Sequence, residues 1–136
     1  MRSAKPKRPA HEIALETLKK IAEEKLWQQG LYKQYQSSVS DAIRTYIEHR
    51  FDINAMEYTT DETLSHLRNN LVPVEAKEKL RQLLQLADLV KFAKAIPVGT
   101  ENELSMQQAV DFVMLTKPAT KEDFSSIESE KKEVVS

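Results

Sequence analysis

The sequence predicts an all-α protein, a single compact domain of about five helices, and three observations support this. Apolar residues recur at spacings of three and four along most of the chain, which is the period of a helix with one buried face. No segment shows the clean alternation of a half-buried strand. The 136 residues include only 2 glycines, and both fall at predicted helix breaks. This length suits one domain of ordinary size.

The first two helices are predicted on either side of a glycine. The first begins after Pro9 and stops at Gly30, because glycine readily takes the left-handed conformation that ends a helix. The second starts near Leu31 and ends around Phe51. Their apolar stripes are Ala14, Leu18, Ile21, Ala22 and Leu26 in the first, and Tyr32, Tyr35, Val39, Ala42, Ile43, Tyr46 and Ile47 in the second. Residues 52–58 show no period and are predicted to be a connection.

A capping box predicts the start of a short third helix. The Thr59 hydroxyl can accept a hydrogen bond from the backbone of Glu62, while the Glu62 carboxylate reaches back. This helix is predicted to carry Leu64 and Leu67 and to end at residues 69–70.

The fourth helix is predicted to begin at Pro73, where a missing N–H costs little. Its apolar residues cover most of its circumference, so we expect it to be central: Leu80, Leu83, Leu84, Leu86, Ala87, Leu89, Val90, Phe92 and Ala93. A second capping box, formed by Thr100 and Glu103, predicts a fifth helix that ends before Pro118. The second, third and fourth helices are compatible with a tri-helical core like that of helix-turn-helix proteins.

Charge divides the chain into three parts. Residues 1–9 hold four basic residues, two prolines and no acid, and residues 118–136 hold five acids, three lysines and few apolar residues. Neither end can bury enough surface to offset its ordering entropy, so both are predicted to be disordered flanks. The helical domain is therefore expected over residues 10–117, which are mildly acidic.

Composition excludes several kinds of chemistry. The chain has no Cys, which rules out disulfides, cysteine-based zinc sites and a cysteine nucleophile. Two glycines are too few for a phosphate-binding glycine-rich loop. His11, His49 and His66 lie far apart, and the glutamates of the first helix alternate with lysines, as is typical of a solvated face. We therefore expect no catalytic residues, no metal site, no cofactor and no small-molecule substrate.

Three residues are candidate partner contacts. Asp88 lies among apolar residues of the fourth helix, and it either turns outward or pairs with Lys91, or else contacts a partner. Lys91 lies one turn further along the same helix. Trp27 either fills the corner between the first two helices or belongs to an exposed docking patch.

Three blocks of the sequence suggest a family. The blocks are IRTYIEHRF at 43–51, AMEYTTDE at 55–62 and ADLVKFAK at 87–94. Together they resemble the C-terminal helical domain of bacterial inner-membrane proteins encoded beside MoxR-type AAA+ ATPases and the Bat aerotolerance proteins. The resemblance covers residues 10–117. It implies a cytoplasmic domain tethered to the inner membrane, with residues 1–9 leading in from a span that this chain does not contain, and it transfers no catalytic residue.

Two functional hypotheses follow. The first is a non-enzymatic adaptor that docks a protein partner such as the MoxR-type ATPase. The alternative is a helix-turn-helix-like nucleic-acid-binding module, against which the mildly acidic body argues, because nucleic-acid affinity depends on Lys and Arg. An enzyme would need a concave pocket that holds several ionisable groups.

Overall fold

A computed structural model describes residues 8–67 and 72–119 and confirms the all-α prediction. Within these residues it contains five α-helices and no strand. Most of the two predicted disordered flanks lies outside the described residues, as does the predicted end of the third helix at residues 69–70. The helices are α1 (Ala10–Glu23), α2 (Tyr32–Phe51), α3 (Thr60–Leu67), α4 (Val74–Phe92) and α5 (Gly99–Thr116), with single 3-10 turns at Trp27–Gln29 and Ala55–Glu57.

The central helix is α2, which packs against α1, α4 and α5. α5 also packs against α1 and α4, and α3 packs against α4. The prediction that the fourth helix is central is wrong in part. One face of α4 is buried, but Leu89 is 52% exposed and Phe92 is 74% exposed. The largest fully buried side chains of the core are Tyr46, Phe112, Leu18, Ile43, Ile47, Leu67, Leu80, Leu83 and Leu84.

Hydrogen bonds join α2 and α5 at two levels. At the first level, the Tyr35 hydroxyl donates to the Asn102 carbonyl at 2.8 Å. At the second, the Tyr46 and Thr116 hydroxyls lie 2.8 Å apart, and Arg50 Nε donates to the Thr116 carbonyl at 2.9 Å. Because both levels occur in the same order along the two helices, α2 and α5 run parallel.

The end of α1 differs from its prediction. The α-helix ends at Glu23, before the predicted stop at Gly30, and Lys25 takes a positive φ of 51°. The chain then passes through the 3-10 turn, and the Leu31 N–H donates to the Leu26 carbonyl at 2.9 Å. Gly30 has a φ of 85°, so the predicted left-handed glycine is confirmed. Nothing in the sequence indicates that Lys25 takes a positive φ, so the end of α1 at Glu23 could not be predicted.

The capping box of α3 is confirmed. The Glu62 N–H donates to Thr59 Oγ1 at 3.1 Å, and the Thr59 N–H donates to the Glu62 carboxylate at 3.0 Å. The bond from the Thr59 backbone is the main cause that lowers the pKa of Glu62. Two of the backbone donors at this helix start are therefore satisfied.

The capping box predicted for α5 is wrong. The helix begins at Gly99, and the Val98 N–H donates to the carboxylate of Glu101 at 2.9 Å. Valine has no side-chain acceptor, so only half of a capping box is formed. Thr100 and Glu103 lie inside the helix instead of at its cap.

The tri-helical prediction is met only in outline. α3 packs on α4, and α2 contacts both α4 and the segment that leads into α3. The connection between α2 and α3 covers residues 52–59 and includes a 3-10 turn. In a tri-helical core of this kind the tight turn of about three to four residues joins the last two helices. The corresponding connection, between α3 and α4, includes residues 68–71, which lie outside the described residues.

Candidate functional site

A groove lies between α2 and α4 and is here called the α2–α4 groove. Its volume is about 1190 Å³, and it is open to solvent. One wall is the outer face of α2 from Lys33 to Arg44, and the other is α4 from Leu84 to Phe92 with Ala93, which follows it. The segment Met56–Asp61 closes one side.

Arg44 holds this segment against α2. Its side chain is buried, and Nη1 donates to the carbonyls of Ala55 at 3.0 Å and Tyr58 at 2.9 Å. Nη1 also lies 3.1 Å from the Thr63 hydroxyl, and Nη2 donates to the Thr60 hydroxyl at 3.2 Å. These bonds satisfy polar groups of a connection whose Ile53 and Ala55 are buried in the core, so the guanidinium and these two apolar side chains together fix the shape of the groove at this side.

Asp88 completes the same network from α4. Its Oδ2 accepts a hydrogen bond of 2.6 Å from the Thr60 hydroxyl, so Thr60 bridges Arg44 and Asp88. Burial lowers the pKa of Arg44, and the nearby carboxylates of Asp88 and Asp41 partly offset this decrease. The half-buried Asp88 therefore provides a counter-charge to a buried cation without touching it.

The predicted pairing of Asp88 with Lys91 is wrong. Within the described part of the chain, no ion pair joins these two side chains. Lys91 instead places its ammonium group 5.2 Å from the centre of the exposed Phe92 ring. Both residues nevertheless line the groove, as a partner contact requires.

Trp27 lies outside the groove, at the corner formed by the first 3-10 turn and the start of α5. It is half-buried and packs against the core. A Cβ added to Gly99 would lie 3.2 Å from its ring, so the glycine leaves the space that the indole fills. This position agrees with the interpretation of Trp27 as an aromatic plug.

Sequence reasoning missed Arg44 and Thr60. Arg44 follows the buried Ile43 and lies three residues before Ile47, so its place on the apolar stripe was a usable signal. Thr60 gave no such signal, because its contacts lie 16 residues away at Arg44 and 28 residues away at Asp88. Hydrogen bonds between segments so far apart in sequence can be found only once the fold is known.

A second surface lies at the end of α4 and is here called the apolar end. It consists of Leu89, Phe92, Ile96 and Val98, which are 52%, 74%, 72% and 59% exposed. After α4 the chain folds back, and the N–H groups of Ala93 and Ala95 both donate to the Leu89 carbonyl. The first two of the four line the groove, so the apolar end continues one of its walls.

Few features of the described residues suggest chemistry. Among them, no group of three or more His, Asp and Glu side chains is placed to hold a metal ion. The ring of His66 stacks on Tyr58 at 4.4 Å. On α4, Arg81 pairs with Glu78, and Lys79 pairs with Asp111 of α5 at 3.3 Å. Basic residues on this helix are thus interleaved with acids. No helix in the described ranges is long and apolar enough to cross a bilayer.

Comparisons with protein-family models, curated proteins and solved structures found no match to this chain. The resemblance to membrane proteins encoded beside MoxR-type ATPases therefore stays a prediction.

Proposed function

We propose that this chain is a non-enzymatic interaction module that docks a partner protein on the apolar end. The observation that carries the proposal is the exposure of Leu89, Phe92, Ile96 and Val98 within one short stretch of chain. Contiguous apolar patches of more than a few hundred Å² are rare on soluble monomers and commonly mark interaction sites. A phenylalanine that is 74% exposed gains by being covered, because burial of aromatic surface dominates interface energies.

The ionisable residues beside the patch support binding over catalysis. The guanidinium of Arg44 is occupied by two carbonyls and two hydroxyls, and Asp88 accepts from one of the same hydroxyls. A general acid or base must be within reach of a substrate proton. These two groups hold the segment between α2 and α3 in place instead, and they shape the surface beside the patch.

The family resemblance supplies the identity of the proposed partner. It implies a MoxR-type AAA+ ATPase and a position at the cytoplasmic face of the bacterial inner membrane. We include both in the proposal as its more specific part.

Capture of the purified ATPase tests the proposal. The full chain is immobilised, and retention of a MoxR-type ATPase from the same organism is measured for the wild type and for a variant that combines Leu89→Ser with Phe92→Ser. Removing two apolar contacts of this size should weaken binding at least about tenfold.

A matched control tests whether binding depends on the apolar end or on any pair of exposed apolar side chains. Leu104→Ser with Met114→Ser removes two side chains of α5 that are 52% and 48% exposed, and it should leave retention unchanged. Circular dichroism confirms that each variant is folded. Equal losses in both variants would exclude the apolar end as the docking surface. Failure of the wild type to retain the ATPase would overturn the choice of partner.

A further inference from the structure

We infer that the α2–α4 groove binds one amphipathic helix with basic residues, its N-terminus directed to the Arg44 side of the groove. This inference rests on the proposed function and specifies the chemistry of the partner. It follows from the size of the groove, the apolar residues that line it and the distribution of charge along it.

The size of the groove fits a helix better than a small molecule. Pockets for small molecules usually measure about 300 to 1,000 Å³ and enclose most of the ligand. This groove measures about 1190 Å³ and is open to solvent. Lys33 and Arg44 are 11 residues apart on α2, which corresponds to about 16 Å, or three helical turns. A groove between two helices is a common binding site for a third helix.

The apolar residues of the groove are placed to receive such a helix. Leu84 is buried at the bottom of the α4 wall, and Leu89 and Phe92 continue from it toward the apolar end. On the opposite side, Met56 is 45% exposed. Methionine adapts to irregular partner surfaces and is common where helices are bound. An incoming helix with apolar residues at spacings of three and four would contact both sides.

Charge specifies the composition and direction of that helix. Four carboxylates and three cations line the groove, which leaves a formal charge of −1. The acids, Asp41, Glu57, Asp61 and Asp88, lie at the Arg44 side together with Arg44 itself, whereas Lys91 lies one turn beyond Asp88 on α4. Lys33 lies at the other end of the α2 wall. Basic side chains and the positive end of a helix dipole both favour the acidic side, whereas the negative end favours Lys33.

Two synthetic peptides test the inference with the full chain. Each has about 15 residues and a stripe of leucines at helical spacing, one with lysines and the other with glutamates on its polar face. Binding of the labelled peptides is measured by fluorescence anisotropy. The lysine peptide should bind at least about tenfold more tightly than the glutamate peptide, and this advantage should shrink in about 0.5 M salt.

Paired charge variants locate the site. Glu57→Gln with Asp61→Asn removes two exposed acids of the groove that make no hydrogen bond to Arg44, and it should weaken the lysine peptide several-fold. Glu23→Gln with Glu24→Gln removes two exposed acids at the end of α1 and should have no effect. Equal affinity for both peptides, equal effects of both variants, or no peptide binding would overturn the inference.

The two proposals fail in different ways. If the ATPase is retained and depends on Phe92 but the lysine peptide does not bind, the docking proposal stands and the helix inference falls. If the chain forms a dimer in sedimentation experiments, and the groove variant dissociates it, a second copy occupies the groove and the inference also falls.

Discussion

The guanidinium of Arg44 is the single most connected side-chain group of the described chain. It organises residues of the connection between α2 and α3 by contacts with two carbonyls and two threonine hydroxyls. Desolvation of a buried cation is costly, and these bonds together with the nearby carboxylate of Asp88 offset that cost. The acidic side of the groove thus depends on a residue that is itself buried.

Arg44→Met should therefore destabilise the protein strongly. Loss of the cation leaves the acceptors of the connection unsatisfied, which costs about 3 to 5 kcal/mol of the free energy of unfolding. Urea denaturation measures this difference. Arg81→Met removes a half-exposed arginine of α4 that pairs with Glu78, and it should change stability little. Similar midpoints for the two variants would contradict the role given to Arg44.

Tyr35 should make stability depend on pH in the alkaline range. Burial, with a smaller effect of Glu103, raises the pKa of Tyr35 from 10.0 to about 12. Between these two values the unfolded chain loses the phenolic proton while the folded chain keeps it. The free energy of unfolding should therefore fall as pH rises from about 10 to about 12.

Comparison with Tyr35→Phe isolates this contribution. The variant removes the phenol, so its stability should fall less steeply over the same pH range. Chemical denaturation at several pH values gives both slopes. Identical slopes would show that Tyr35 does not titrate in this way. Burial also raises the pKa of Tyr46, which adds to the slope in both proteins.

At the scale of elements, the sequence located the helices better than it located their ends. The apolar stripe of α2 and the capping box of α3 were sufficient for correct predictions, since each depends on residues within a few positions of one another. The end of α1 was missed because Lys25 adopts a positive φ of 51°. Only glycine, and less often asparagine, signals that conformation in a sequence.

Lys94→Gly should stabilise the protein. The backbone of Lys94 has a φ of 58°, which costs a residue with a Cβ about 1 kcal/mol and costs glycine almost nothing. Lys91→Gly, three residues earlier in the regular part of α4, should instead destabilise by about 1 kcal/mol. Thermal unfolding of the two variants should show shifts of opposite sign. A lower melting temperature for both would contradict the strain assigned to Lys94.

At the scale of the whole molecule, the fold class could be predicted and the groove could not. Periodicity, length and scarcity of glycine were enough to predict a single all-α domain. The groove depends on how α2 and α4 meet and on which leucines α4 leaves uncovered. The apolar residues of α4 gave no basis for expecting Leu89 and Phe92 at the surface. A helix face exposed to solvent and one packed against another helix can have the same apolar composition.

The two levels of hydrogen bonds between α2 and α5 have a consequence for the dynamics of the molecule. Neither helix can slide along the other without losing the Tyr35–Asn102 bond and the bonds to Thr116 together. Helices joined in this way should open as one cooperative unit. We expect amide protons in the middle of α2 and of α5 to exchange with deuterium at the same free energy of opening. A much earlier exchange of α5 would show that it separates from α2 alone.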